Sequence, residues 1–460
     1  MKRRQFLKYA SMLGATASLS SIPKTQLYAA NQDYTGPLWI TIHAEGGWDP
    51  TSICDPKGYN GPTDLVNSER INNYDRNDIK QIGNFQVAPP PDSFLADGEN
   101  FIDNLYSADT FFAKYAQQLL VLNGIDVKTN SHSNGKLNTW SGRLRTGFPS
   151  FAALAAGTLA PSLPLSYLIN GGYSYPANLV VPTRMDSRGL ATLYEIAFPN
   201  RSSTPKNNNS TTYFSDTVKQ LIDTASLARI ERLKIAESLP RVEEALRNLS
   251  IARQETWRLS DFTSTVEEYS SKTVADFNDR DKAFKLYQQG RLVLAAYQAG
   301  VTCSANITMG GFDTHSDHDA RHYPRLMDLL MGIDGIIQEA QLRGLSDRIV
   351  LVIGSELGRT NKYNKNNGKD HWPVTSMMMM GNSVQQIIGN RVIGATNEIQ
   401  KSVKIDPISL EPDYSETNPN AVRFTPAHVH HSLRGLAGIN GSSNAFQYPL
   451  EGVGLNLFGT

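Results

Sequence analysis

The chain has 460 residues, 40% of them hydrophobic and 19% charged, with 44 basic against 44 acidic side chains. That is a globular composition, and it excludes disorder, collagen-like repeats and a disulfide-dense miniprotein. The balance hides an asymmetry: residues 1–30 carry Lys2, Arg3, Arg4, Lys8 and Lys24 with no acid, so residues 31–460 hold 39 basic and 44 acidic groups, net −5. A mildly acidic body lacks the positive field that nucleic-acid binding draws on, so no nucleic-acid partner is expected.

Lys2-Arg3-Arg4-Gln5-Phe6-Leu7-Lys8 precedes a weakly apolar run and the small pair Ala29-Ala30. Basic segment, short apolar stretch and small-residue cleavage site make a signal peptide. Adjacent arginines followed by Phe-Leu-Lys resemble the twin-arginine export signal. Expected are a signal over 1–30 and a single α/β domain over 31–460, carried by the twin-arginine translocase to the periplasm or medium. No later segment reaches the roughly 20 apolar residues of a bilayer crossing.

Residues 38–44 read as a buried strand ended by Gly46-Gly47, and the Pro/Asn/Gly-rich stretch 56–98 as a surface excursion. Helical spacing over 101–120 leads into a strand at 118–122; 151–159 is a small-residue helix and 179–181 a short strand closed by Pro182. A polar run at 207–212 reads as a loop. From about 215 to 300 the pattern is helical, with an apolar stripe at Leu221, Ile222, Ala225, Leu227, Ile230, Leu233 and Ile235, and is read as a helical insertion. Then come a strand at 303–309, a helix through Leu326, Leu329, Leu330, Ile333, Ile336, Ile337 and Ala340, and a strand at 348–354. This is a βαβ unit, with parallel strands. A strand at 375–380 and a helix at 426–436 follow. The expected fold is a doubly wound, mostly parallel α/β sheet. Cys54 and Cys303 are either two buried free thiols or, if their Cα atoms approach within about 7 Å, a disulfide.

Ligands of open parallel sheets sit at the carboxyl ends of the strands. Three strand ends deliver acids there: Glu45-Gly-Gly-Trp-Asp49, Gly310-Gly-Phe-Asp313-Thr-His315 and Gly354-Ser-Glu356. With Asp370-His371 they make a carboxylate and imidazole set that suits Zn, Mn, Fe or related divalent ions. His318 and His322, spaced i, i+4, read as solvated residues at a helix start, and His428, His430 and His431 as capping or packing residues. Ser131-His132 lies just past a strand, where a hydroxyl beside an imidazole suits a nucleophile or an anion contact. Arg359 is placed to clamp an anionic group or to balance nearby acids. No P-loop, Gly-x-Gly-x-x-Gly, Gly-x-Ser-x-Gly or His-Glu-x-x-His motif occurs.

Gly-Gly-Phe-Asp-Thr-His at 310–315, Gly-Ser-Glu-Leu-Gly-Arg-Thr at 354–360 and Gly-Lys-Asp-His-Trp-Pro at 368–373 resemble, in this order and spacing, the bacterial family called domain of unknown function 1501. Ser131-His132 and residues 391–396 fit the same pattern. The resemblance implies an alkaline-phosphatase-like core and metal-assisted cleavage of phosphate or sulfate esters. Within that superfamily Asp49 is similar to the first-strand metal aspartate, Asp313 with His315 resembles the mid-chain ligand pair, and His371 the late histidine ligand. Glu356 falls where an Asp-His pair ends a strand, and Leu357 replaces the histidine, which leaves ligands for one metal or none. The expectation is a divalent ion (Zn, Mn, Mg or Ca) held by Asp313, His315 and His371, with Asp49 and Glu356 completing that site or a second one. Arg359 or His132 would contact a small anionic ester or surface polymer, with Ser131 as the hydroxyl nucleophile. The alternative is a non-catalytic periplasmic binding or assembly protein on the same fold.

Overall fold

The computed structural model describes residues 34–61, 69–96, 106–185, 200, 212–239, 272–381 and 387–458, with scattered positions between 242 and 265. The leader and most of the polar run at 207–212 lie outside the described residues.

In chain order the strands are β1 (Leu38–Glu45), β2 (Lys80–Ile82), β3 (Phe85–Val87), β4 (Leu119–Asp126), β5 (Tyr167–Asn170), β6 (Pro182–Arg184), β7 (Ser304–Gly310), β8 (Ile349–Gly354), β9 (Gly358–Arg359), β10 (His371–Trp372), β11 (Val374–Met380) and β12 (Arg391–Ile393). The longer helices are α1 (Ala108–Tyr115), α2 (His132–Ser141), α3 (Phe151–Leu159), α4 (Asp216–Ala236), α5 (Asp281–Gln298), α6 (His318–Leu342) and α7 (Pro426–Leu436). Eight strands form one sheet in the order β12-β4-β11-β8-β1-β7-β5-β6. β1 runs parallel to β7 and β8, β5 to β7 and β6, and β12 to β4. β11 is antiparallel to both its neighbours, so it alone runs against the other seven. The expected βαβ unit is present: β7 and β8 are parallel with α6 between them, and β1 lies in the gap.

Alternation along the strands feeds two cores, one on each face. Leu38, Ile40, Ile42 and Ala44 of β1 join Leu351, Ile353 and Met378 beneath α1, α5 and α6. Trp39 joins Leu120, Val350, Val352, Met377 and Met379 beneath α2, α3 and α7. Helices on both faces of a mostly parallel sheet make the doubly wound class. α3 shows why the sequence folds locally: Ser150 caps it by accepting from the Ala153 amide, and its alanines let it lie close to the sheet.

Several expectations need correction. The strand expected at 179–181 forms three residues later, at β6, where Pro182 takes the first position of an edge strand and needs no ladder donor. β5 carries no expectation at all. The stretch 56–98 is not a plain excursion: Tyr74, Phe85 and Val87 are buried, and β2 and β3 pair across Gly83-Asn84. Of the apolar stripe on α4 only Ile230 is buried; α5 packs on α6 in the first core instead. Cys54 and Cys303 are both free and buried, in separate cores, so the disulfide alternative falls.

The α7 histidines do cap and pack. His428 closes a capping box with Thr425, and buried His430 lies edge-on to Phe151 with Nε2 donating to Thr139 O. Burial pushes His430 down to about 3 and His428 down to about 4. Both stay neutral in the fold at pH values where the unfolded chain would protonate them. Their stability contribution is complete above about pH 6.5 and is lost as pH falls toward 4 and 3. At pH 5 His430 alone costs up to about 2 kcal/mol. Urea midpoints at pH 8 and pH 5 check this, and a midpoint that holds or rises on acidification contradicts it.

Candidate metal centre

Five segments meet at one edge of the sheet. β1 ends into Gly46-Gly47-Trp48-Asp49, β4 leads to Asn130 and into α2, β7 ends into Asp313-Thr314-His315, and β8 into Ser355-Glu356. The reversal of β11 supplies the fifth: its start lies at this edge, so the preceding Lys369-Asp370-His371 arrives there too. The β1 and β7 segments touch directly. Gly46 has φ +121°, and a Cβ on it would stand 2.4 Å from the Asp313 amide nitrogen, so only glycine fits.

Three imidazoles point at one oxygen. His132 Nδ1 lies 2.8 Å from Glu356 Oε1, His371 Nδ1 2.8 Å from the Asn130 carbonyl, and His315 Nδ1 2.7 Å from Asp370 Oδ1. Each partner is an acceptor, so each neutral ring carries its proton on Nδ1 and presents a bare Nε2. Those Nε2 atoms stand 3.5, 3.3 and 3.0 Å from Asp313 Oδ1 for His132, His371 and His315, and the last two are 3.1 Å apart. The donor atoms of His132, Asp313 and His371 all lie within 4.8 Å of one another. Donors sharing one ion at about 2.0–2.1 Å stand about 3.3 Å apart when tetrahedral. The buried Nε2 of His132 has no hydrogen-bond partner among the described residues. Arg359 supplies Asp313 Oδ1 with one donor from behind, at 2.8 Å; the Nε2 lone pairs that converge on the same oxygen from the open side make a donor set that fits a divalent cation.

The remaining candidates support this set from outside. Arg359 is fully buried rather than open to a substrate. Its Nε donates to Gly47 O at 2.8 Å, Nη1 to Lys369 O at 3.0 Å, and Nη2 to Gly46 O and, at 2.8 Å, to Asp313 Oδ1. Burial alone would raise the Asp313 carboxyl; Arg359, His315 and His132 outweigh it and hold the group at about 2. Glu356 faces His132 rather than the point where the Nε2 atoms meet. It also accepts from the Gly46 amide at 2.9 Å and the Ser355 hydroxyl at 3.1 Å, and its Oε2 lies 3.3 Å from His43 Nε2. Carboxylates placed behind imidazoles in this way fix ring orientation in metal sites.

Asp49 belongs to a neighbouring buried cluster. Its Oδ2 takes the Lys369 ammonium at 2.6 Å, and its Oδ1 accepts from the Thr51 amide at 3.0 Å and hydroxyl at 2.6 Å. Lys369 donates again to Asn72 Oδ1 at 2.8 Å. An ammonium occupies the place a second metal would need. His318 and His322, expected in solvent, are buried there, stacked with ring centroids 4.4 Å apart. Their i, i+4 spacing names a shared helix face but not what covers it. Ser131 stands exposed at the N-cap of α2, where its side chain makes no capping hydrogen bond. Sequence reasoning assigned no role to His43, Asn72 and Lys369; the lone His43 among strand residues was the one available signal.

Fold and site together define a doubly wound α/β protein with a histidine–carboxylate centre at the carboxyl edge of its sheet. The chain belongs to the family described as Protein of unknown function (DUF1501), whose model matches residues 38–418. No curated protein sequence matches it. Among solved structures it is similar to a sulfatase from Pseudoalteromonas sp., at 10% identity over 92% of this chain and 74% of that one, TM-score 0.35. It is also similar to a phosphonate monoester hydrolase from Silicibacter pomeroyi, at 10% identity, 91% and 77% coverage and TM-score 0.29. A third is the lipoteichoic acid synthase of Listeria monocytogenes, at 9% identity, 98% and 80% coverage and TM-score 0.32. No helix among the described residues is long and apolar enough to cross a membrane.

Proposed function

We propose that the chain is an exported, metal-dependent hydrolase of phosphate or sulfate esters, working with one divalent ion. The observation that carries this reading is the convergence of three Nδ1-anchored imidazoles on Asp313 Oδ1. His132, Asp313 and His371 would hold the ion, and His315, nearly half exposed beside them, leaves the substrate side open. Bound there, a divalent ion supplies Lewis acidity toward an ester oxygen and toward an attacking water. Lys369 supports one ion rather than two, because its ammonium already neutralises Asp49.

The chain's own groups favour an anionic substrate. His132 is the first residue of α2, so the free amides of that helix start adjoin the donor set, with no acidic side chain in the first turn. Arg359 and Glu356 keep Asp313 and His132 aimed, and Asp370 and the Asn130 carbonyl do the same for His315 and His371. The attacking group is a water or the exposed Ser131 hydroxyl; turnover that survives Ser131→Ala assigns it to water. The twin-arginine-like leader supports a periplasmic or secreted site of action.

The second reading, a non-catalytic binding or assembly protein, rests on His315: should its Nε2, 3.0 Å from Asp313 Oδ1, join the three donors, four protein ligands would close the shell, the pattern of structural sites. The discriminating experiment is hydrolysis across phosphate, phosphonate and sulfate esters with added Zn, Mn, Mg or Ca. Turnover that needs the metal and is lost in His371→Ala is expected. Stoichiometric metal with no turnover on any ester would leave the closed-shell reading standing and overturn the hydrolase.

A further inference from the structure

Thr314 sits between the two donors Asp313 and His315, yet its side chain turns the other way, into the buried histidine pair. Its Oγ1 lies 2.7 Å from His318 Nδ1 and 3.1 Å from His322 Nδ1. The protons can be assigned one by one. The Asp49 amide can only donate, and at 2.9 Å it donates to His322 Nε2. A neutral His322 therefore carries its proton on Nδ1 and gives it to Thr314 Oγ1. The hydroxyl has one proton of its own, and it goes to His318 Nδ1. His318 then carries its proton on Nε2, which faces Asp49 Oδ2 at 3.2 Å. The relay starts on the Asp49 amide and ends facing the Asp49 carboxylate.

The competing arrangement turns the hydroxyl toward Phe312 O, at 3.5 Å, a much poorer acceptor distance. It would also force the proton of His318 onto Nδ1 and leave a bare Nε2 against the Asp49 carboxylate. Both distance and charge reject it. All four residues, Asp49, Thr314, His318 and His322, are at most 1% exposed, so no water competes for these bonds. The Thr314 carbonyl accepts from the Lys369 amide at 3.0 Å, which ties the same residue to the segment that carries His371.

We propose that Thr314 is a positioning residue: a one-way hydrogen-bond relay from the Asp49 amide through His322 and Thr314 to His318, whose Nε2 meets the Asp49 carboxylate as a charge contact at 3.2 Å, fixes the Asp313-Thr314-His315 segment so that its two outer side chains face the cation site. This rests on the metal reading above. A valine at 314 keeps the shape and removes both the donor and the acceptor, leaving two buried imidazole nitrogens unpaired. A serine keeps both.

The test has two independent readouts on the full-length mature protein. Nitrogen-15 NMR of the imidazoles should find opposite neutral tautomers, Nε2–H for His318 and Nδ1–H for His322, with or without metal. Zinc titration against a chelator should find Thr314→Val about 10- to 100-fold weaker than wild type and Thr314→Ser close to wild type, the range expected when a supporting group behind a ligand is lost. Identical tautomers on the two histidines overturn the relay. Wild-type zinc affinity in Thr314→Val overturns the positioning role. No zinc binding by the wild type overturns the metal reading itself, whatever the tautomers. If Thr314→Val fails to fold, the tautomers and Thr314→Ser still decide.

Discussion

Asp313→Ala is expected to abolish stoichiometric binding of divalent metal while leaving the fold intact. Asp313 Oδ1 is the point on which all three Nε2 atoms converge, and it is the one anionic donor among them. The side chain is about half exposed, so its loss opens no core cavity. Arg359 keeps its carbonyl partners Gly46, Gly47 and Lys369 but loses the carboxylate that balances its buried charge, so some stability is lost with the metal. His371→Ala, which removes a donor held by the Asn130 carbonyl, should weaken binding to a similar degree. A native circular dichroism spectrum with a urea midpoint below wild type, together with metal below a tenth of an equivalent, is the expected pair of results. Full metal occupancy in Asp313→Ala would remove the carboxylate from the site.

The largest stability effect is expected at Lys369→Met. Lys369 and Asp49 are both fully buried and 2.6 Å apart, and Lys369 also satisfies Asn72. Removing the ammonium leaves a carboxylate without its countercharge in the interior, at a cost of about 3–5 kcal/mol. His318 and the Thr51 donors remain, so the cost falls short of isolating a bare charge. Burial alone would raise the Asp49 carboxyl, but Lys369, His318 and His322 hold it far below the ordinary carboxylate range. Adding Asp49→Asn to Lys369→Met should recover part of the loss, because the amide carries no charge to strand. Urea unfolding of the single and double variants measures this. A single-variant loss under about 1 kcal/mol contradicts the ion pair's role.

Long, strongly patterned elements were legible in the sequence. β1, α3, the β7–α6–β8 unit and α7 stand within a residue or two of the positions that their apolar runs indicate. So were the three carboxylate-bearing loops; in two of them paired glycines leaving a strand mark close backbone approach, as Gly46 against Asp313 bears out. β5 and β6 were not legible: they are four and three residues long, too short for periodicity to register. The β2–β3 hairpin did carry a signal, a two-residue Gly83-Asn84 turn, masked by the surrounding proline and asparagine.

Within the site, sequence supplied donor types but not their partners. His132 and His371 come from segments 239 positions apart, brought together because β11 runs backwards beside β4, and no local pattern encodes that reversal. Lys369 and Asp49 likewise pair across the fold, so a lysine in a polar loop reads as a surface residue until its cover is known. Histidines 318 and 322 show the same blindness: their spacing fixes a face, and only the tertiary fold decides that Asp49 and Thr314 cover it.

The most direct measurement is the metal content of the purified protein, by elemental analysis after reconstitution with zinc or manganese and removal of excess. One ion per chain, lost in Asp313→Ala, is the expected result. Two ions would mean that Lys369 does not fill the Asp49 pocket, and none, with the protein folded, would contradict a cation centre at His132, Asp313 and His371.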